Sequence, residues 1–262
     1  MDPRLLPRIS IWLVALALVT GSAAAGDFVA PQYQPNLKLD ACQATERLAD
    51  FLSECQVPGP GATVGWTWEV GKGNQAPNMA GLVSLALLDA YEATGNLRYL
   101  RAAQRYADGI LVGARSGLPY KSDVELMVRL YGHFEDPDYG TAARDLFDRI
   151  RASSPSGKAE IDRIANGRKA TPALLGYDAA MAIRAALSVD DRRYAFELAD
   201  QVIARSGTWY RPRDDRRFTL VSTAALVSAL EALDEAHYRR TIDKMRPRLA
   251  NSQEASGAGR EN

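Results

Sequence analysis

The chain has 262 residues, and its 32 lysines and arginines are balanced by 32 aspartates and glutamates. That balance gives no electrostatic reason to expect nucleic acid or an anionic membrane surface as a partner. Two histidines and two cysteines show no zinc-ligand spacing, and no cofactor is expected.

Arg4 and Arg8 precede an apolar run over residues 9–20 and a stretch of small residues over 21–26. A charged start, a short apolar run and an A-x-A site describe a secretory signal peptide, residues 1–25. The run is shorter than the roughly 20 apolar residues that span a bilayer, so no membrane attachment is expected after cleavage. Removal of residues 1–25 takes away two arginines and one aspartate and leaves a net charge of about −1. Residues 26–39 read as an extended segment, 40–250 as one helical domain and 251–262 as a disordered polar tail. A first helix is expected over about 40–54. Along it, Cys42 and Cys55 would lie thirteen steps apart, about 20 Å at helical rise. A disulfide spans no more than about 7 Å, so either the helix starts late and the chain folds back, or both thiols are buried and free, the reading favoured here.

Four short segments then share one pattern. Asn96-Leu97-Arg98-Tyr99, Asp136-Pro137-Asp138-Tyr139, Asp191-Arg192-Arg193-Tyr194 and Glu235-Ala236-His237-Tyr238 each place tyrosine three positions after an acidic or amide residue. The tyrosines are spaced by 40, 55 and 44 residues. Asn and Asp suit a helix N-cap because their side chains accept orphan backbone N–H groups. Pro137 suits the first helical position. The tyrosine, one turn in, is expected to pack between the two helices of its hairpin. Before each cap stands an apolar stretch (80–93, 123–134, 173–187, 220–233), and after it an amphipathic one (98–110, 139–150, 193–204, 238–249). Each unit therefore reads as a buried inner helix, a tight turn and a solvated outer helix. The fold class is all-α, built from about four tandem hairpins.

The stretch Leu87-Leu88-Asp89-Ala90-Tyr91-Glu92-Ala93-Thr94-Gly95-Asn96-Leu97-Arg98-Tyr99-Leu100-Arg101-Ala102-Ala103 resembles the hairpins of the α/α-toroid proteins, the six-hairpin glycosidase-like group. The resemblance covers one hairpin well and three weakly, and implies a shortened, partial toroid. A tetratricopeptide solenoid is the rival, but its period of about 34 residues is shorter and more regular. The resemblance further implies a binding cleft on the rim that carries the longer outer-to-inner connections. Those are residues 57–77, 113–121, 153–170 and 206–217.

Every tryptophan after residue 25, namely Trp66, Trp68 and Trp209, falls in these connections, as do Tyr120 and Tyr210. Flat aromatic faces with a polar edge suit sugar rings, although such residues also plug the ends of helical barrels. Alignment on the tyrosines puts Val83, Asp123, Asp178 and Ser222 at one equivalent position. Asp123 and Asp178 are the candidate carboxylate pair for glycoside hydrolysis, although capping would also favour Asp near a helix start. Glu69 lies in the same rim loops. Tyr120 or Lys121 would be the base of a lyase. Arg211, in the run Arg211-Pro212-Arg213-Asp214-Asp215-Arg216-Arg217, would grip an acidic sugar. A second aligned set, Asp89, Arg129, Arg184 and Ser228, reads as structural, with Asp89 paired to Arg129 and Arg184 to Glu231. His133 and His237 fall on the opposite, short-turn rim.

Two functions follow as expectations. One is an exported glycoside hydrolase or polysaccharide lyase, with Asp123 and Asp178 catalytic and Trp66, Trp68, Glu69, Tyr120, Trp209, Tyr210 and Arg211 binding substrate. The other is a non-catalytic helical-repeat module that binds a polysaccharide or a protein partner.

Overall fold

A computed structural model of the chain describes residues 41–59, 63–70, 72–113, 119–166, 173–205 and 217–250. The stretch 1–25 expected to be a signal peptide, the segment over 26–39 and the C-terminal tail over 251–262 lie outside the described residues. The chain divides into two compact units, up to Tyr120 and from Lys121 onward, where the sequence suggested one domain. An array whose contacts run between sequence neighbours divides in this way naturally.

The described residues form nine helices and four short strands, so the all-α class holds. In the first unit, α1 (Ala41–Glu54) packs against α2 (Pro77–Thr94) and α3 (Leu97–Leu111). Four strands connect α1 to α2: β1 (Val57–Pro58), β2 (Val64–Gly65), β3 (Thr67–Glu69) and β4 (Lys72–Gln75), paired antiparallel as β1–β2 and β3–β4. Helix α2 starts with Pro77 at its first turn and is buried continuously from Met79 to Leu88. Each fully buried leucine contributes roughly 1.5–3 kcal/mol. Ala86 and Ala90 on α2, and Ala102, Ala103 and Ala107 on α3, are all closed to solvent and let the helices approach closely. The two thiols are free, and Cys55 has its pKa raised by burial and by the adjacent Glu54.

In the second unit, α4 (Lys121–Phe134) pairs with α5 (Pro137–Ser153), and α7 (Ala173–Ser188) with α8 (Arg192–Ala204). Helix α9 (Arg217–Ala250) is two helices joined at Asp234, whose backbone is extended. Arg246 pairs with Glu231 at 2.9 Å across fifteen residues. A straight helix would hold these residues roughly 20 Å apart, so the chain folds back as a fourth hairpin. The inner helices α4, α7 and the first half of α9 pack in succession.

The turns repeat a two-residue device. Gly95 (φ 74), Glu135 (φ 55) and Asp190 (φ 64) occupy the left-handed region after each inner helix. The next residue caps the outer helix: Asn96 accepts from Arg98 N, Asp136 from Asp138 N, and Asp191 from Tyr194 N. The fourth hairpin departs from the expected pattern. Its cap is Asp234, which accepts from His237 N at 2.9 Å, rather than Glu235.

The four tyrosines are buried as expected, but their hydroxyls reach elsewhere. Tyr99 on α3 donates to Asp50 on α1 at 3.0 Å. Tyr194 on α8 donates to the Ser154 carbonyl after α5, and Tyr238 donates to Asp200 on α8, each at 3.0 Å. Tyr99, Tyr194 and Tyr238 therefore tie their outer helices to an earlier segment of the same unit, while the Tyr139 ring lies 6.1 Å from Phe134 at the end of its own inner helix.

One element was not anticipated. The connection over 153–170 contains α6 (Gly157–Asn166), which packs on α7 and α8. Ser156 starts it by accepting from Ala159 N, and Ile161 and Ile164 are buried. A Cβ on Gly157 would sit 2.6–2.7 Å from the α8 backbone at Glu197 and Leu198, a clearance that only glycine fits.

Candidate functional site

In the first unit the rim strands place the aromatic candidates. Trp66 lies in the break between β2 and β3 and Trp68 lies on β3, and the two side chains diverge. Trp66 is 2% exposed; its indole N–H donates to the Leu52 carbonyl at 2.7 Å and its ring lies 6.0 Å from Tyr106. It is therefore a core residue, which corrects its assignment as a substrate-binding face. Trp68 is 50% exposed and Tyr120 36%, and Glu69 beside Trp68 is exposed as well.

The carboxylate pair fares differently. Asp123, in the first turn of α4, is 1% exposed, while Asp178 on α7 is partly exposed. A carboxyl closed to solvent offers nothing to a sugar outside, so Asp123 is withdrawn as a catalytic residue. Ser122 and Glu125 on α4, and Ser222, Thr223 and Ser228 on α9, are further buried polar residues of the second unit. Arg184 on α7 forks onto Glu125 on α4, with Nε 2.8 Å from Oε2 and Nη2 on Oε1. Burial alone would raise the Glu125 carboxyl. Arg184, with Arg129 near, more than offsets it and holds the pKa below the ordinary range. Arg184 therefore pairs with Glu125 rather than Glu231, whose partner is Arg246.

A second buried ion cluster joins α6 to the start of α4. Glu160 is 0% exposed; Lys121 Nζ lies 2.9 Å from it, and Arg163 binds it through Nε at 2.8 Å and Nη2 at 2.6 Å. Burial works against the charge, but Arg163 and Lys121 prevail and hold the Glu160 pKa at about 2. Lys121 is thus tied to Glu160 inside the protein, rather than aimed outward as its candidacy as a lyase base would require.

Trp209, Tyr210 and Arg211 lie outside the described residues. His133 and His237 are exposed, His133 in the last turn of α4 and His237 just after the Asp234 break. Among the described residues no group of three or more His, Cys, Asp or Glu is gathered as metal ligands, and no helix is long and apolar enough to cross a membrane. Nothing in the residue pattern over 153–170, which reads as a connection, points to the Glu160 cluster. Comparison with protein-family models, curated proteins and solved structures finds no match.

Proposed function

We propose that the chain is an exported helical-hairpin module that binds a poly- or oligosaccharide without cleaving it. The observation that carries this reading is Trp68, half exposed on a strand whose neighbouring tryptophan is locked in the core. A large aromatic left open on a rigid mount suits the face of a sugar ring. Tyr120, at the end of the same unit, offers a second ring. The likeness of the first hairpin to α/α-toroid proteins supports a carbohydrate ligand. The burial of Asp123 favours binding over hydrolysis, because one of the two carboxylates that hydrolysis would use is closed to solvent.

Affinity electrophoresis of the full chain through gels containing amylose, xylan, dextran or polygalacturonate tests the reading. At least one polymer should retard the protein, Trp68→Ala should abolish the retardation, and no reducing ends or unsaturated products should appear. Product release that Asp178→Asn abolishes would overturn it in favour of an enzyme.

A further inference from the structure

We infer that Thr67 is a positioning residue that fixes the angle at which Trp68 meets its ligand; this rests on the carbohydrate reading above. In the β3–β4 ladder, Thr67 pairs with Gln75 and Glu69 with Lys72. One residue of β3, Trp68, therefore faces two of β4, Gly73 and Asn74. Gly73 takes the left-handed conformation (φ 77) that such a bulge uses, and nothing lies within 4 Å of where its Cβ would be. Trp68 thus stands opposite a bulge, with no side chain on Gly73 to cover it.

A residue opposite a bulge has lost its regular ladder partner, and something else must hold its backbone. Thr67 does so: its buried hydroxyl donates to the Glu69 carbonyl at 2.5 Å and spans Trp68 from one flanking residue to the other. The strand is anchored upstream by the Trp66 indole on Leu52 and by Ala76 N on the Trp66 carbonyl at 2.6 Å. Across the ladder, the Gln75 amide donates to the Val57 carbonyl at 2.9 Å. It is seated against Gly59 and Gly65, where a Cβ would stand 2.4 and 3.2 Å from it. Trp68 is therefore an open ring on a fixed backbone. A face fixed before its ligand arrives escapes the ordering cost that a mobile ring would charge against affinity. It also sets which ring orientations can stack.

Thr67→Val keeps the shape of the side chain and removes the donor, whereas Thr67→Ser keeps the donor. Full-length variants are compared with wild type and Trp68→Ala by near-ultraviolet circular dichroism and by retardation on the polymer that retains wild type. Thr67→Val should alter the part of the spectrum that Trp68→Ala removes and weaken retardation several-fold, and Thr67→Ser should do neither. If Thr67→Val fails to fold, Thr67→Ala takes its place. If Trp68→Ala abolishes retardation while Thr67→Val matches wild type in both measurements, the positioning role is wrong and the carbohydrate reading survives. If Trp68→Ala retains full retardation, the carbohydrate reading falls and this inference falls with it.

Discussion

Tyr238 donates its phenolic hydrogen to Asp200 at 3.0 Å, and Tyr99 repeats the arrangement on Asp50 at the same distance. The two bonds lie in different units, at corresponding places in the repeat. A hydrogen bond to a charged acceptor is worth about 1.5–3 kcal/mol, and less where water competes. Tyr238→Phe should therefore cost about 1–2 kcal/mol in urea unfolding. A cycle with Asp200→Asn should give a coupling of about 1 kcal/mol. Additive effects of the two substitutions would show that the bond contributes nothing to stability.

The same tyrosines should titrate late. Burial, and for Tyr99 also its bond to Asp50, pushes the Tyr99 pKa up to about 12. Burial with the nearby Glu160 charge takes Tyr194 to about 12 against the pull of Arg151, and Tyr238 is raised further. A phenol whose folded pKa lies above its ordinary 10 contributes stability that is complete below about pH 10 and is lost as pH rises through 12. An alkaline absorbance titration should show these phenolates appearing last, together with loss of helical signal. Early, reversible ionisation of all tyrosines in the folded protein would contradict their burial.

Glu160 governs the acid side. Its folded pKa of about 2 lies below the ordinary 4.5. A depressed carboxyl contributes stability that is complete above about pH 4.5 and is lost as pH falls toward 2. The difference limits that contribution to about 3 kcal/mol. Glu160→Gln leaves Lys121 and Arg163 without their buried partner and should cost about 3 kcal/mol at neutral pH. It should also flatten the loss of stability between pH 4.5 and 2. An unfolding midpoint in the variant that falls with acid as steeply as in wild type would place the acid sensitivity elsewhere.

The turns offer a stabilising test. Gly95 occupies its left-handed position at no steric cost, whereas Glu135 and Asp190 hold the same conformation with side chains. The left-handed region costs an L-residue about 1–2 kcal/mol, less for Asp. Glu135→Gly should raise stability by about 0.5–1 kcal/mol once the greater backbone entropy of glycine is counted. Gly95→Ala should lower it by about 1 kcal/mol. Thermal melts followed by circular dichroism measure both, and a Glu135→Gly variant less stable than wild type would refute the strain.

Much of this was legible in the residues themselves. Three of the four caps fell where a short polar side chain precedes a helix, because capping is a local interaction. The inner and outer helices separated by composition, because burial on most sides favours Ala, Leu, Val and Met and admits charge only in pairs such as Glu125–Arg184. Partners were not legible. That Arg184 takes Glu125 instead of Glu231, and that Tyr99, Tyr194 and Tyr238 reach back to an earlier segment, depends on which helices adjoin. Helix α6 escaped because its ten residues carry only a short apolar stripe. Trp66 and Trp68 carry identical side chains at strand spacing, and the features that part them, a backbone bulge and a tie to Leu52, leave no mark in composition. Asp123 looked like half of a reactive pair because alignment shows equivalence of position and is blind to access.

The ties made by Tyr238 and Tyr194 differ in what the chain must encode. Tyr238 finds its acceptor in a side chain, Asp200, that must stand at the right place. Tyr194, beside α6, settles instead on the main-chain carbonyl of Ser154, just after α5. Every helix ends in carbonyls without an intrahelical donor, whatever its sequence. The Tyr194 tie is therefore indifferent to which side chain stands at residue 154, whereas the Tyr238 tie is lost with a single change at Asp200.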